Sequence, residues 1–251
     1  MAITAAPLLP EAALKDAELL VWGDDHCNAV IPTLRALCKK HGITAYGASQ
    51  SKTAPLLGTH ISDYSNPRKH YADFNNAMFE FARRSGVKHV LLVAKWSNYV
   101  PTESGYLEAS QPTIKPAKSG PQRTFHEGLV RTVKRLHGIG VHVWIMEEVP
   151  SVEIPEQESD ESTGIPLVTH LSDVHDTARL FSEVAVGLGS ADRMINFLDP
   201  VLYLSNETGL CPAFMEGRAL YRDTGLLSTQ GALRLEPMFR PMVGAIISDR
   251  D

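Results

Sequence analysis

The chain has 251 residues, 43% of them hydrophobic, enough to bury a substantial core in a single α/β domain. Its formal net charge is −5 and it carries no basic stripe, which excludes a general nucleic-acid role because phosphate binding needs clustered cations. Cys27, Cys38 and Cys211 show no C-x-x-C spacing, so neither a disulfide framework nor a structural zinc site is expected, and the thiols read as small hydrophobes.

Residues 1–17 read as an N-terminal extension. Glu11, Lys15, Asp16 and Glu18 interrupt Met1–Leu19, so that stretch has the pattern of neither a secretory leader nor a membrane span. Two settings follow: cytoplasmic if the chain is complete as given, periplasmic or extracellular if it is a domain cut from a longer chain. The first strand is expected at Leu19–Trp22. A helix follows, with Val30, Ile31, Leu34, Leu37 and Cys38 at 3.6-residue spacing, Pro32 in its first turn and His41-Gly42 at its end. Thr44–Ala48 is the second strand, and Phe74, Ala77, Met78, Phe81 and Ala82 mark the second helix. His89–Ala94 is the third strand, and Phe125, Leu129, Val133 and Leu136 mark the third helix. Val141–Met146 is the fourth strand, Ala178, Phe181, Val184, Ala185 and Leu188 mark a fourth helix, and Met194–Phe197 is the fifth strand. A last helix is expected after Leu227, with Ser228 as its N-cap and Ala232, Leu235 and Phe239 facing inward.

Strands alternating with helices predict a mostly parallel five-stranded sheet with helices on both faces, a flavodoxin-like arrangement in one domain over 1–251. Ligands of such sheets bind outside the carboxyl ends of the strands, which singles out the loops beginning at Gly23, Ser49, Lys95 and Glu147. Two long unpatterned segments, 101–122 and 151–176, are expected near that edge.

Two segments carry the chemistry. Val21-Trp22-Gly23-Asp24-Asp25-His26 turns from strand to helix, and Asp223-Thr224-Gly225-Leu226-Leu227-Ser228 opens the last helix. With Ala48–Gly58, Val93–Tyr99, Val143–Pro150 and Leu198–Ala232, in that order, they resemble the SGNH hydrolase superfamily. The resemblance is greatest to the SGNH domain that follows the membrane acyltransferase of bacterial surface-polysaccharide O-acyltransferases. In that family the first segment reads G-D-S-H, with the serine as nucleophile. The last reads D-x-x-H-L-S, whose aspartate and histidine complete the triad. Here Asp25 stands at the nucleophile position and Leu226 at the histidine position, while the acid Asp223 remains. The resemblance also implies cysteines where this chain has Thr53 and Ser205, leaving Cys211 without its usual neighbour.

A serine nucleophile needs a base within hydrogen-bond reach, and leucine supplies none. Asp25 attack on an ester would give an anhydride with no evident base to activate water. His26 is no replacement, since the family has a histidine there too, and its simplest role is a hydrogen bond within the turn. Asp24, His26, Ser49, Trp96, Asn98 and Tyr99 are the expected ligand-contacting residues. For Trp96, Asn98 and Tyr99 the alternatives are stacking on sugars and bonding hydroxyls, or packing the end of the sheet. Asp24 either caps the helix or joins Asp25 and Asp223 in a carboxylate cluster able to bind a cation. His60, His70, His126, His170 and His175 fall in or near loops. His170 and His175, beside Asp173 and Asp176, read as solvated surface groups, with a metal site as the alternative. No metal and no cofactor is called for.

The expected function is a degenerate SGNH domain that binds or positions an acylated glycan or an acyl donor with little or no ester turnover. The alternatives are an active carbohydrate O-acyltransferase or esterase with a rearranged site, and a purely structural interaction domain. A glycan or acyl-ester ligand is the expected partner, together with a membrane acyltransferase domain if the chain is an excised part.

Overall fold

The protein is described here by a computed structural model covering residues 5–8, 17–61, 69–99, 107–109, 121–152, 169–170, 178–179, 181–184, 194–207 and 209–250. Its central sheet has six strands: β1 (Ala6–Pro7), β2 (Leu19–Gly23), β3 (Ala45–Ser49), β4 (His89–Val93), β5 (His142–Met146) and β6 (Ile195–Leu198). They lie in the order β1-β3-β2-β4-β5-β6, with β1 antiparallel to β3 and all other pairs parallel. The expected sheet of five strands is therefore corrected to six. Two residues of extension carry no periodicity, so β1 leaves no pattern to read. Among the described residues, three short antiparallel strand pairs lie outside the sheet, one of them Ser151–Val152 with Thr169–His170.

The helices are α1 (Asp25–His41), α2 (Lys69–Ser85), α3 (Pro121–His137), α4 (Val201–Leu204), α5 (Thr229–Arg234) and α6 (Glu236–Ser248), and residues 178–179 and 181–184 are also helical. Alternation along the strands divides the core into two layers. Leu20, Trp22, Val90, Leu92, Val143 and Ile145 join one layer with Met78 of α2 and Phe125, Leu129 and Val133 of α3. Leu19, Val21, Leu91, Val93, Trp144 and Met146 join the other with Val30 and Leu34 of α1 and Phe239 and Met242 of α6. Helices thus cover both faces, as the strand–helix alternation predicts. Among the described residues no helix is long and apolar enough to cross a membrane.

Two helix expectations need correction. α1 starts at Asp25, capped by the Asp24 side chain, so Pro32 lies inside the helix and not in its first turn. An interior proline removes one helical hydrogen bond, and this long helix tolerates the loss because it is packed on the sheet. The last helix does begin at the Ser228 cap, whose hydroxyl accepts from the Gly231 amide at 3.1 Å. It then breaks at Leu235 into α5 and α6, because Pro237 has no N–H to continue the ladder and suits the first turn of a new helix. Ala232, Leu235 and Phe239 all face inward, as the pattern predicts. Of the fourth expected helix, Ala178, Phe181 and Val184 are helical, while Ala185 and Leu188 lie outside the described residues. So do most of 101–122, 151–176 and the N-terminal extension.

A polar cluster lies at the opposite end of the sheet from the carboxyl edge. His89, 1% exposed, accepts from Trp144 Nε1 at Nδ1 over 3.2 Å, which leaves the hydrogen on Nε2 to face Asp249 Oδ2 at 3.1 Å. Burial holds the His89 pKa below the usual histidine value, with Asp249 opposing. The unfolded chain therefore takes up this proton first, and stability falls as pH drops below about 6.5, until the folded form also titrates. Denaturant titrations at pH 7.5 and at about pH 5.5 are expected to show a smaller stability loss in His89→Gln than in the unsubstituted protein. Equal losses in the two proteins would contradict this assignment.

Candidate active site

The five parallel strands run 2-1-3-4-5 across the sheet, so the direction of winding reverses between β2 and β4. Crevices open at such reversals, outside the carboxyl ends of the two strands. Here the two ends are unusually close. A Cβ built on Gly23 would lie 1.7 Å from the Val93 carbonyl oxygen, so only glycine fits at the last position of β2. The chain then turns through Asp24 into α1.

Asp24 is 3% exposed and its carboxylate is fully engaged. Oδ1 accepts from the His26 amide at 2.9 Å, and Oδ2 accepts from the Lys95 amide at 3.0 Å and the Tyr99 hydroxyl at 2.9 Å. Asp24 therefore ties the start of α1 to the loop after β4, the capping role among the two expected for it. Burial and the Asp24 charge push the Tyr99 phenol well above its ordinary pKa, which keeps it a donor to that carboxylate.

The loop after β4 corrects two expectations about ligand contact. Trp96 is wholly buried: Nε1 donates to the Met146 carbonyl at 2.8 Å, and Phe125 and Phe181 meet its ring edge-on. No face of Trp96 is left for a sugar. Tyr99, 2% exposed, is likewise spent on Asp24. The two aromatics anchor the loop, because its polar backbone would otherwise lack a fixed path over the sheet edge. Asn98 is exposed on the same turn, and its side chain remains at the surface.

The opposite wall is the turn from Asp223 to Leu227. Asp223 Oδ1 accepts from the Gly225 amide at 3.0 Å and the Leu226 amide at 2.8 Å. The acid that would orient a histidine thus organises its own turn, and Leu226 is half-buried there. Asp25 is the first residue of α1 and is exposed. His26 is mostly covered, with Nδ1 3.3 Å from Asp24 Oδ1 but no hydrogen-bond geometry at either ring nitrogen. It borders a cavity of about 10 Å³ with Val30, Val93, Met146, Glu147 and Gly225, at the lower limit for one water. Ser49 donates to Asn28 Oδ1 at 3.0 Å, joining the end of β3 to α1.

Three further residues meet at this edge: Lys95 opens one of the loops expected there, whereas Glu148 and Ser151 are absent from the residues singled out by sequence. Glu148, 1% exposed, accepts from the Ser97 amide at 3.1 Å and the Ser97 hydroxyl at 3.0 Å. Burial pushes its pKa up to about 7, against those bonds and the nearby charges of Lys95 and His26. The Lys95 ammonium donates to Ser151 Oγ at 3.0 Å. It also lies 2.7 Å from the position a Cβ would take on Gly225. The available signal was positional: all three residues follow the ends of the third and fourth parallel strands. Among the described residues, no three His, Cys, Asp or Glu side chains gather as metal ligands would, and the His60, His70, His170 and His175 side chains lie outside what is described. Ser205 Oγ lies 3.3 Å from Cys211 Sγ, so a serine does occupy the neighbouring place implied for a cysteine.

A doubly wound sheet with its crevice between a G-D-x-H turn and a D-x-x-x-L-S turn defines the SGNH fold class. Residues 4–241 match the family described as the SGNH domain fused to AT3 domains, and the chain belongs to that family. The fold resembles the periplasmic domain of a lipopolysaccharide acetyltransferase of Salmonella ser. Paratyphi A, at TM-score 0.66 and 17% identity over 93% of this chain and 85% of that one. It also resembles a GDSL-like lipase of Bacteroides thetaiotaomicron (TM-score 0.54, 11% identity, 94% and 92% of the two chains). An acetyl xylan esterase gives TM-score 0.54 and 14% identity over 90% of this chain and 99% of that one. No curated protein matches the chain.

Proposed function

We propose that this SGNH domain binds and positions an acylated glycan or an acyl donor, with little or no ester turnover through its triad positions. The observation that carries the reading is the pairing of Asp25 and Leu226 at the nucleophile and histidine positions, in a frame otherwise held by Asp24, Gly23 and the Asp223 turn. A carboxylate at the first position and an alkyl group at the second leave no hydroxyl to attack and no base to take its proton. The glycan part of the reading is supported by relatives named for lipopolysaccharide and acetyl xylan, and the membrane acyltransferase partner by the AT3 fusion of the family.

Restoration tests it. The double variant Asp25→Ser with Leu226→His is expected to hydrolyse p-nitrophenyl acetate about 100-fold faster than the unsubstituted chain, the usual worth of a positioned general base. Each single variant should gain little, since nucleophile and base act as one unit. Turnover by the unsubstituted chain that Asp25→Ala abolishes would overturn the reading.

A further inference from the structure

The Lys95 ammonium donates to the Ser151 hydroxyl oxygen outside the triad positions, bringing a nucleophilic and a basic side chain together. Their hydrogen bond, 3.0 Å from Nζ to Oγ, falls within the range that nucleophile activation requires. They come from the loops after β5 and β4, and meet at the carboxyl edge of the sheet. The Val152 amide donates to the Thr224 carbonyl at 2.8 Å, which stitches the Ser151 strand to the turn bearing Leu226. The pair therefore stands beside the place left by the missing histidine.

The base is oriented, as such a base must be. Its backbone amide donates to Asp24 Oδ2 at 3.0 Å, and its amine packs over Gly225, 2.7 Å from where a Cβ would lie. Charged and titratable groups on the neighbouring segments are Asp24, Asp25, His26, Glu147, Glu148 and the Arg222–Asp223 pair. Asp24 is committed to its three donors and Asp223 Oδ1 to two turn amides. Glu148, its pKa pushed up to about 7 by burial, is about half protonated at that pH.

We infer that Ser151 and Lys95 form a serine–lysine dyad that captures the acyl group of an ester ligand. In this step neutral Nζ takes the hydroxyl proton as Oγ bonds the carbonyl carbon. The ester C–O bond then breaks, and the proton passes from Nζ to the departing alkoxide. Attack by an acceptor hydroxyl, with Nζ again as base, returns Ser151 and releases a new ester. Serine–lysine pairs perform this chemistry on other folds, where the lysine must be deprotonated to act. The inference goes beyond the preceding reading, because acyl capture at Ser151 uses neither Asp25 nor Leu226.

The full chain is incubated with excess p-nitrophenyl acetate and followed by p-nitrophenolate release, intact mass and peptide mapping. One acetyl group is expected on Ser151. Ser151→Ala should lose that adduct, and Ser151→Cys should keep it, as a thiolester. Lys95→Arg and Lys95→Met should both slow acylation by about 100-fold, because arginine keeps the charge and cannot serve as base. Acetylation of Lys95 in place of Ser151, no adduct at all, or an unslowed Lys95→Arg variant would each overturn the dyad. A thermal melt of each variant separates loss of chemistry from loss of fold, and the mapping on the unsubstituted chain needs no variant.

Discussion

Gly23→Ala is expected to leave little folded protein. The added methyl would sit 1.7 Å from the Val93 carbonyl oxygen, a backbone atom between the two central strands. No rotamer relieves such a contact, so β2 and β4 must separate along the pairing that runs from Leu19–His89 to Gly23–Val93. The cost is on the order of 5 kcal/mol, comparable with the whole stability of many domains. Urea denaturation followed by circular dichroism reads it directly. Gly42→Ala provides the control: Gly42 ends α1 at φ 63° with nothing within 4 Å of an added Cβ. That substitution should cost only about 1 kcal/mol. Similar midpoints for the two variants would mean that the strands are not drawn together as described.

Two adjacent aspartates should behave in opposite ways. Asp24→Ala removes an acceptor from the His26 amide, the Lys95 amide and the Tyr99 hydroxyl, and the last of these is then buried without a partner. Breaking a buried charge-assisted network costs about 3–5 kcal/mol. Asp25→Ala removes an exposed carboxylate whose favourable interaction with the start of α1 is worth about 0.3–1 kcal/mol. Asp24→Asn should fall between them, because one oxygen still accepts while the amide nitrogen faces a donor. Denaturation midpoints of the three variants give the ranking, and an Asp25→Ala loss equal to that of Asp24→Ala would refute the division of roles.

The contrast bears on how the site is built. Asp24, Tyr99 and Trp96 look like ligand-contacting residues when read along the chain, because polar and aromatic groups cluster after β2 and β4. In three dimensions Trp96 and Tyr99 hold their loop to the sheet, and Asp24 receives both that loop and α1. Among the described residues, what remains open at the edge is smaller and more charged: Asp25, Asn98, Lys95 and the Asp223 turn.

Much of this was legible before any fold was known. Apolar runs with period 2 and helices with period 3.6 are set by local geometry, so the five parallel strands and the faces of α1 to α3 follow from patterning. The loss at Asp25 and Leu226 is equally a matter of residue identity at recognisable positions. Helix limits were less secure. The pattern puts Pro32 in a first turn, whereas α1 begins at Asp25, about two turns earlier, and the break at Leu235 follows from Pro237 in the first turn of α6.

Sequence alone determined the fold class, its order of elements and the absence of a serine at position 25 and a histidine at position 226, because these rest on spacing and side-chain chemistry. Tertiary structure alone decided which polar groups meet. Lys95 and Ser151 are 56 residues apart, Asp24 and Tyr99 75 apart, and each pair is joined only because β2, β4 and β5 end at one edge of the sheet. Local preference carries no information on such contacts, since they are made by the parallel register of strands distant in the chain.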